Sequence, residues 1–458
     1  MIPARSPRVI RGNRVVTPTG IRPASIHLES GRIVRVGGID EGGAATVEVL
    51  DAGDAIVMPG LVDSHVHVNE PGRTDWEGFE TATRAAAAGG VTTLLDMPLN
   101  SIPATTSVRA LREKAAAARG KTWIDVGFIG GVVPGNAAAL GDLAAAGVRA
   151  FKCFLVPSGV TEFEHVTASD LREALPIVAR TGLPLMVHAE LPDAIEAATL
   201  EAAASDPTAY STYRASRPPA AEHEAVALMI RLAEATRGRI HIVHVSSAES
   251  AMMIAHARAR GVAISGETCP HYLALDGDSI PNGATEFKCA PPIRGRADRD
   301  GLWDALSGGR LDMIVSDHSP CPPILKRRDV GDFFAAWGGI ASLQLGASVV
   351  YTAMRERGVP FEHLVRWMAA APAHLAGLTG RKGAIAPGCD GDLVLFDPGA
   401  DETVVADRLL HRHPVTPYLG LRLRGVVEAT YVRGALAFDR QRGPAPTPAG
   451  QLLLPTSS

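Results

Sequence analysis

The chain has 458 residues, 46% hydrophobic and 21% charged, which suits a soluble globular enzyme larger than one small domain. A formal net charge of -4 gives no support for nucleic acid or an anionic membrane as a partner. Five cysteines (Cys153, Cys269, Cys289, Cys321 and Cys389) form an odd set without CxxC spacing, which argues against a disulfide framework and points to a reducing compartment, the cytoplasm. The first residues show no apolar core ahead of a cleavage site, and no run approaches the ~20 apolar residues of a membrane span.

In chain order, RVIRGNRVVTPTG and SIHLESGRIVRVGG come first and read as short antiparallel strands, with Val and Ile alternating and Gly as punctuation. Similar text returns near the other end in DGDLVLFDPG and GVVEATYVRGALAF, so the two ends are expected to form one β-rich, sandwich-like domain over 1–57 and 383–458. Between them, from 58 to 382, eight apolar runs alternate with stretches of helical character. The runs are IVMPGLVDSHVHV, VTTLLDMP, WIDVGFIGG, VRAFKCFLV, LPLMVHAE, IHIVHVS, VAISGETC and LDMIVSDHS. Ala-rich segments such as EGFETATRAAAAGG supply the helices, and this alternation predicts a parallel (β/α)₈ barrel. A longer insertion, from about residue 190 to Pro219, separates the fifth and sixth runs and is expected to fold over the site.

Barrel active sites are built at the C-terminal ends of the strands. His65 and His67 end the first run, Lys152 lies near the end of the fourth, His188 ends the fifth, His244 the sixth and Asp317 the eighth. Strand side chains alternate faces, so the HxH pair presents both imidazoles to one side, as a shared metal requires. A lone strand histidine is more often a hydrogen-bonded core residue; four of them with a lysine and an aspartate at matching strand ends are hard to explain by packing. Lys152, between Phe151 and Phe154, is costly to bury unless paired or neutralised. Beside the other ligands, its carbamate with carbon dioxide is a better reading than a plain ion pair. Asp317 reads as a metal ligand, a general base or both, against the plainer reading of a helix N-cap. His318 should face the opposite way. His271 and Glu190 are candidates to touch substrate or to orient a ligand, with structural roles as the alternative.

These motifs resemble the amidohydrolase superfamily and, within it, the cyclic amidases: dihydroorotases, hydantoinases and allantoinases. The likeness runs from MPGLVDSHVHV through KGAIAPGCDGDLVLFDP, most of the chain. It is closest to the allantoinases in HVNEPGRTDWEGFETATRAAAAGGVTTLLDMPLNSIPAT, FKCF, CPHYL, KCAPPIR, VSDHSPCPP, AWGGI and HPVTPYLG. The resemblance implies that His65 and His67 bind a first divalent metal and His188 and His244 a second. Carboxylated Lys152 would bridge both ions, and Asp317 would bind the first and act as base. It implies zinc, with cobalt or manganese as substitutes, and a homotetramer.

Two departures bear on substrate. Dihydroorotases carry HxHxR, and here the third position is Asn69; hydantoinases place a tyrosine soon after the bridging lysine, and here CFLVPSG follows. Allantoin is a neutral hydantoin ring with a urea arm, which needs hydrogen bonds rather than a salt bridge. Asn100, Ser319 and the backbone around Cys289 are the candidates to supply them, with a turn residue and a helix cap as the plain readings of Asn100 and Ser319. The implied reaction is hydrolytic ring opening of allantoin to allantoate by a metal-bridged hydroxide, in purine (ureide) catabolism. Two competing readings are a hydantoinase or dihydropyrimidinase acting on another cyclic amide, and a non-catalytic scaffold that has lost its metals. The latter typically lacks several ligands, and here none is missing.

Overall fold

The computed structural model describes residues 8–41 and 47–455. The eight apolar runs become strands: β1 (Leu61–Val66), β2 (Val91–Asp96), β3 (Asp125–Phe128, continued by Gly130–Gly131), β4 (Phe151–Phe154), β5 (Leu185–His188), β6 (Ile240–Ile242), β7 (Ile264–Thr268) and β8 (Met313–Ile314). Nearly every residue in them is buried, because a parallel strand wrapped by helices has no solvent face. All neighbours pair in parallel, β1 through the first piece of β3 and the second piece of β3 through β8. The ring closes just past β8: Val66 bridges His318, and the His67 N–H donates to the His318 carbonyl at 2.9 Å. This is the expected (β/α)₈ barrel.

All eight strands are shorter than their apolar runs. β3 is interrupted at Ile129, His67 stands just past the end of β1, and both His244 and Asp317 stand beyond the ends of β6 and β8 rather than on them. Both adopt positive φ, 40° and 44°, which an extended ladder cannot continue. Helix Phe79–Ala88 shows why the Ala-rich stretches fit: its alanines are buried against the barrel. A Cβ on Gly89, which follows it, would stand 2.6 Å from the Leu343 carbonyl oxygen.

The two ends of the chain do pair. Leu393–Thr403 lies antiparallel to Ile56–Pro59, which lies parallel to Arg8–Thr17, and these belong to one nine-stranded sheet. The sheet has its own apolar core, with Ile10, Ile26, Val57, Leu393 and Tyr431 among its members. A buried charge cluster ties it to the barrel: Lys382 Nζ donates to Asp125 on β3 and to Asp392 at 2.6 Å each, and lies 3.0 Å from Asp390. Among the described residues no helix is long and apolar enough to cross a membrane.

Candidate active site

The six predicted metal ligands and the three predicted substrate contacts, Asn100, Cys289 and Ser319, all line one cavity of about 350 Å³ at the C-terminal mouth of the barrel. A larger one, about 570 Å³, lies against the β-rich sheet and contains none of them. The histidines face one another: ring centroids of His65 and His67 are 5.5 Å apart, His65 and His244 5.5 Å, and His188 and His244 4.6 Å. Asp317 Oδ1 lies 3.1 Å from His65 Nε2 and 3.5 Å from His67 Nε2. Positive φ at His244 and Asp317 turns the chain out of the ladder at the site, and Asn69 and Asn100 share that backbone region at 66° and 65°. Such conformations cost energy and cluster at functional sites.

Lys152 is fully buried, and its Nζ has no hydrogen-bond partner. The Phe154 ring lies beneath it, 4.9 Å away at its centroid. Burial pushes the amine down to about 8, although the Asp317 and Glu267 carboxylates oppose it. The plain ion-pair reading therefore lacks its partner. Burial also lowers His67 to about 4 and lowers His188 and His244, so these rings stay neutral at pH 7, the form that ligates metals. Burial alone would raise Asp317, but His65 and His67 outweigh it and hold the carboxyl well below its usual range.

A second set of groups holds the first. His65 Nδ1 meets Glu267 Oε1 at 2.6 Å, and the other Glu267 oxygen meets His241 Nε2 at 2.9 Å. His188 Nε2 meets Glu190 Oε2 at 2.8 Å, and Arg217 Nη2 donates to the same oxygen at 2.6 Å. Glu190 thus orients His188, one of the two readings open from the sequence. Asp63 accepts from the backbone N–H of His65 at 3.2 Å and of Ser316 at 3.2 Å. Glu267, Asp63 and Arg217 were not singled out from the sequence. The signal was present for the first two, because a carboxylate inside a buried strand is as costly as Lys152.

The remaining sequence candidates take clear positions. Ser319 Oγ donates to Asp317 Oδ1 at 3.0 Å, and no helix begins at either residue, so neither is an N-cap. Asn100 Oδ1 is buried without a partner. The Cys289 carbonyl accepts from the Tyr213 hydroxyl at 2.7 Å. His318 points away from the cavity, toward Glu77 at 3.2 Å. His271 is buried outside the cavity lining, and one of its ring nitrogens lies within 4.8 Å of Asp317 and Cys269 ligand atoms. From the insertion, Ile195, Thr199 and Tyr213 wall the cavity.

The donors suit a divalent cation. One ligand atom each from His65, His67 and Asp317 lies within 4.8 Å of the others, all buried. Neutral imidazoles with a carboxylate are a usual donor set for zinc and its neighbours.

A (β/α)₈ barrel with histidines, a lysine and an aspartate at its strand ends defines a class, and the chain belongs to the amidohydrolase family, whose model matches residues 56–437. It is a cyclic amide hydrolase by kinship. The allantoinase of Streptomyces avermitilis is 47% identical over 93% of this chain and 94% of its own. That of Saccharomyces cerevisiae is 46% identical over 87% and 86%. Among solved structures, the L-hydantoinase (dihydropyrimidinase) of Arthrobacter aurescens superposes with a TM-score of 0.92 at 29% identity, covering 97% of this chain and 98% of its own.

Proposed function

We infer that this chain is an allantoinase, opening the ring of allantoin to allantoate in purine catabolism. The observation that carries the reading is kinship: relatives bearing that name match almost the whole chain at 47% and 46% identity, against 29% for the hydantoinase structure. The cavity suits it, being small and lined by hydrogen-bonding groups such as Asn100, Ser158 and Ser319 beside the histidines.

In this reading His65, His67 and Asp317 would hold one divalent ion and His188 and His244 a second, and Lys152, as a carbamate, would supply a further anionic oxygen donor. Zinc is the first choice, with cobalt or manganese as substitutes. Such ions supply a Lewis acid for the ring carbonyl and an acidified water at neutral pH. The protein does the rest. Glu267 and Glu190 fix the rings of His65 and His188. Asn100 Oδ1 accepts a ring N–H of the substrate, and Ser319 steadies Asp317. Asp317 takes the proton of the attacking water and returns it to the ring nitrogen as the C–N bond breaks.

Burial of all five cysteines as free thiols supports a reducing compartment, the cytoplasm. A homotetramer follows from the family resemblance and is checked by light scattering. We place the barrel domain at 58–382 and the β-rich domain at 1–57 with 383–458; residues 1–7, 42–46 and 456–458 lie outside the described ones. The deciding experiment is turnover of allantoin, hydantoin, dihydrouracil and dihydroorotate by zinc- or cobalt-loaded protein. Strong preference for allantoin is expected. Preference for another ring would overturn the substrate, and no turnover with metals bound would overturn allantoinase activity.

A further inference from the structure

Lys288 opens the segment KCAPPIR and lines the same cavity, yet no carboxylate pairs with it among the described residues. Its Nζ donates to the carbonyls of Phe334 at 3.1 Å and Ala336 at 2.5 Å. A second lysine works on the same loop from behind: Lys326 Nζ donates to the carbonyls of Trp337, at 3.2 Å, and Gly339. The loop is tied to Lys288 again by its backbone, since the Gly339 N–H donates to the Lys288 carbonyl at 2.8 Å. A Cβ on Gly339, at φ +130°, would stand 2.3 Å from the Ser319 carbonyl oxygen, so the loop can approach Ser319 only with glycine there. Two lysines therefore clasp one cavity wall, whose Trp337 packs edge-on against Trp76 at 4.9 Å.

The two lysines differ in one respect. Lys326 is buried and does not reach the cavity, whereas Lys288 is among its lining. An ammonium has three N–H donors. Two of those on Lys288 are spent on carbonyls, which leaves one for the cavity. The Tyr213 ring, 5.2 Å away at its centroid, flanks the amine on another side. With carbonyls as its hydrogen-bond partners, the amine keeps a donor free for an oxygen acceptor on a ligand in the cavity. Burial, aided by Lys326 and Arg217, pushes this amine down to about 7, so the spare N–H belongs to the ammonium form that prevails below that pH.

We propose that Lys288 is a specificity-determining residue that donates its remaining N–H to the carbonyl of an acyclic ureido arm on the ring substrate. This rests on the allantoinase reading. It makes Lys288 the group that separates armed rings from bare ones, because a site built to bond a polar arm discriminates against an analogue without it.

The test compares wild type, Lys288→Met and Lys326→Met on allantoin and on hydantoin, which has the ring without the arm. Hydantoin is followed as a substrate or as a competing inhibitor of allantoin turnover. Trp fluorescence reports on the loop carrying Trp337. The expected result is a fall of about ten- to a hundredfold in the preference for allantoin over hydantoin in Lys288→Met, carried mainly by KM. Lys326→Met should alter the fluorescence and leave that preference within about twofold. Equal losses on both compounds in Lys288→Met, or the same change of preference in both variants, would make Lys288 a loop clasp alone and overturn the proposal. Wild-type turnover of hydantoin but not allantoin would overturn the functional reading, and the proposal with it.

Discussion

Replacing Lys152 by Met separates what the site does from what the fold tolerates. Lys152 is fully buried, its amine has no acceptor, and its pKa falls from 10.5 to about 8. That depression corresponds to roughly 3 kcal/mol against the ammonium form. The sign follows from the direction: the charged form is penalised in the folded state, so the cost is fully present below pH 8 and fades as pH rises toward 10.5. Methionine has nearly the same volume and no charge, so repacking should cost little. Metal-free Lys152→Met, in buffer stripped of bicarbonate, should therefore be more stable than metal-free wild type at pH 7 by up to about 3 kcal/mol. The gain should shrink toward pH 10. Urea denaturation at both pH values measures it, and the same variant should have no allantoin turnover when metal is supplied. Equal or lower stability at pH 7 would refute the reasoning, because Lys152 would then have a compensating partner.

Other substitutions probe the neighbouring groups. Asp317→Asn should abolish turnover while keeping most of the bound metal measured by atomic emission; near-normal turnover would remove Asp317 as proton carrier. Glu190→Gln weakens the link between Arg217 and His188 and should reduce metal affinity about 10- to 100-fold in chelator competition. Unchanged affinity would mean that His188 needs no such support. Lys382→Met leaves Asp125, Asp390 and Asp392 facing one another in the interior and should cost about 3–5 kcal/mol in urea denaturation. Retained stability would show that Arg433, which bonds Asp125, and Arg381, 3.0 Å from Asp390, balance the cluster without the lysine.

The candidate site was readable because barrel geometry turns sequence order into place. Each strand delivers its last residues to one mouth, so His65 and His188 could be gathered from strand ends without knowing any contact; Lys152, expected near an end, is the second of four residues in β4. The shared apolar character of Arg8–Thr17 and Leu393–Thr403 likewise announced that the chain ends belong together. The support around the site was less legible. Glu267 is separated from His65 by 202 residues, and nothing near either one in the chain marks the pair. In the sequence Glu190 is marked only by its closeness to His188, while its second partner, Arg217, arrives from the far end of the insertion.

The sequence by itself determined the elements, their order and the residues with chemistry at strand ends, because apolar period and turn residues act locally. It also determined that Lys152 is surrounded by apolar neighbours and must be paired or neutralised. Only the tertiary structure shows that, among the described residues, no acid hydrogen-bonds to the amine. It alone turned His244 and Asp317 inward through positive φ beyond short strands, and it alone set two lysines from different segments on one cavity wall. These are questions of distance between residues remote in the chain, and a local pattern carries no information about who meets whom once the barrel closes.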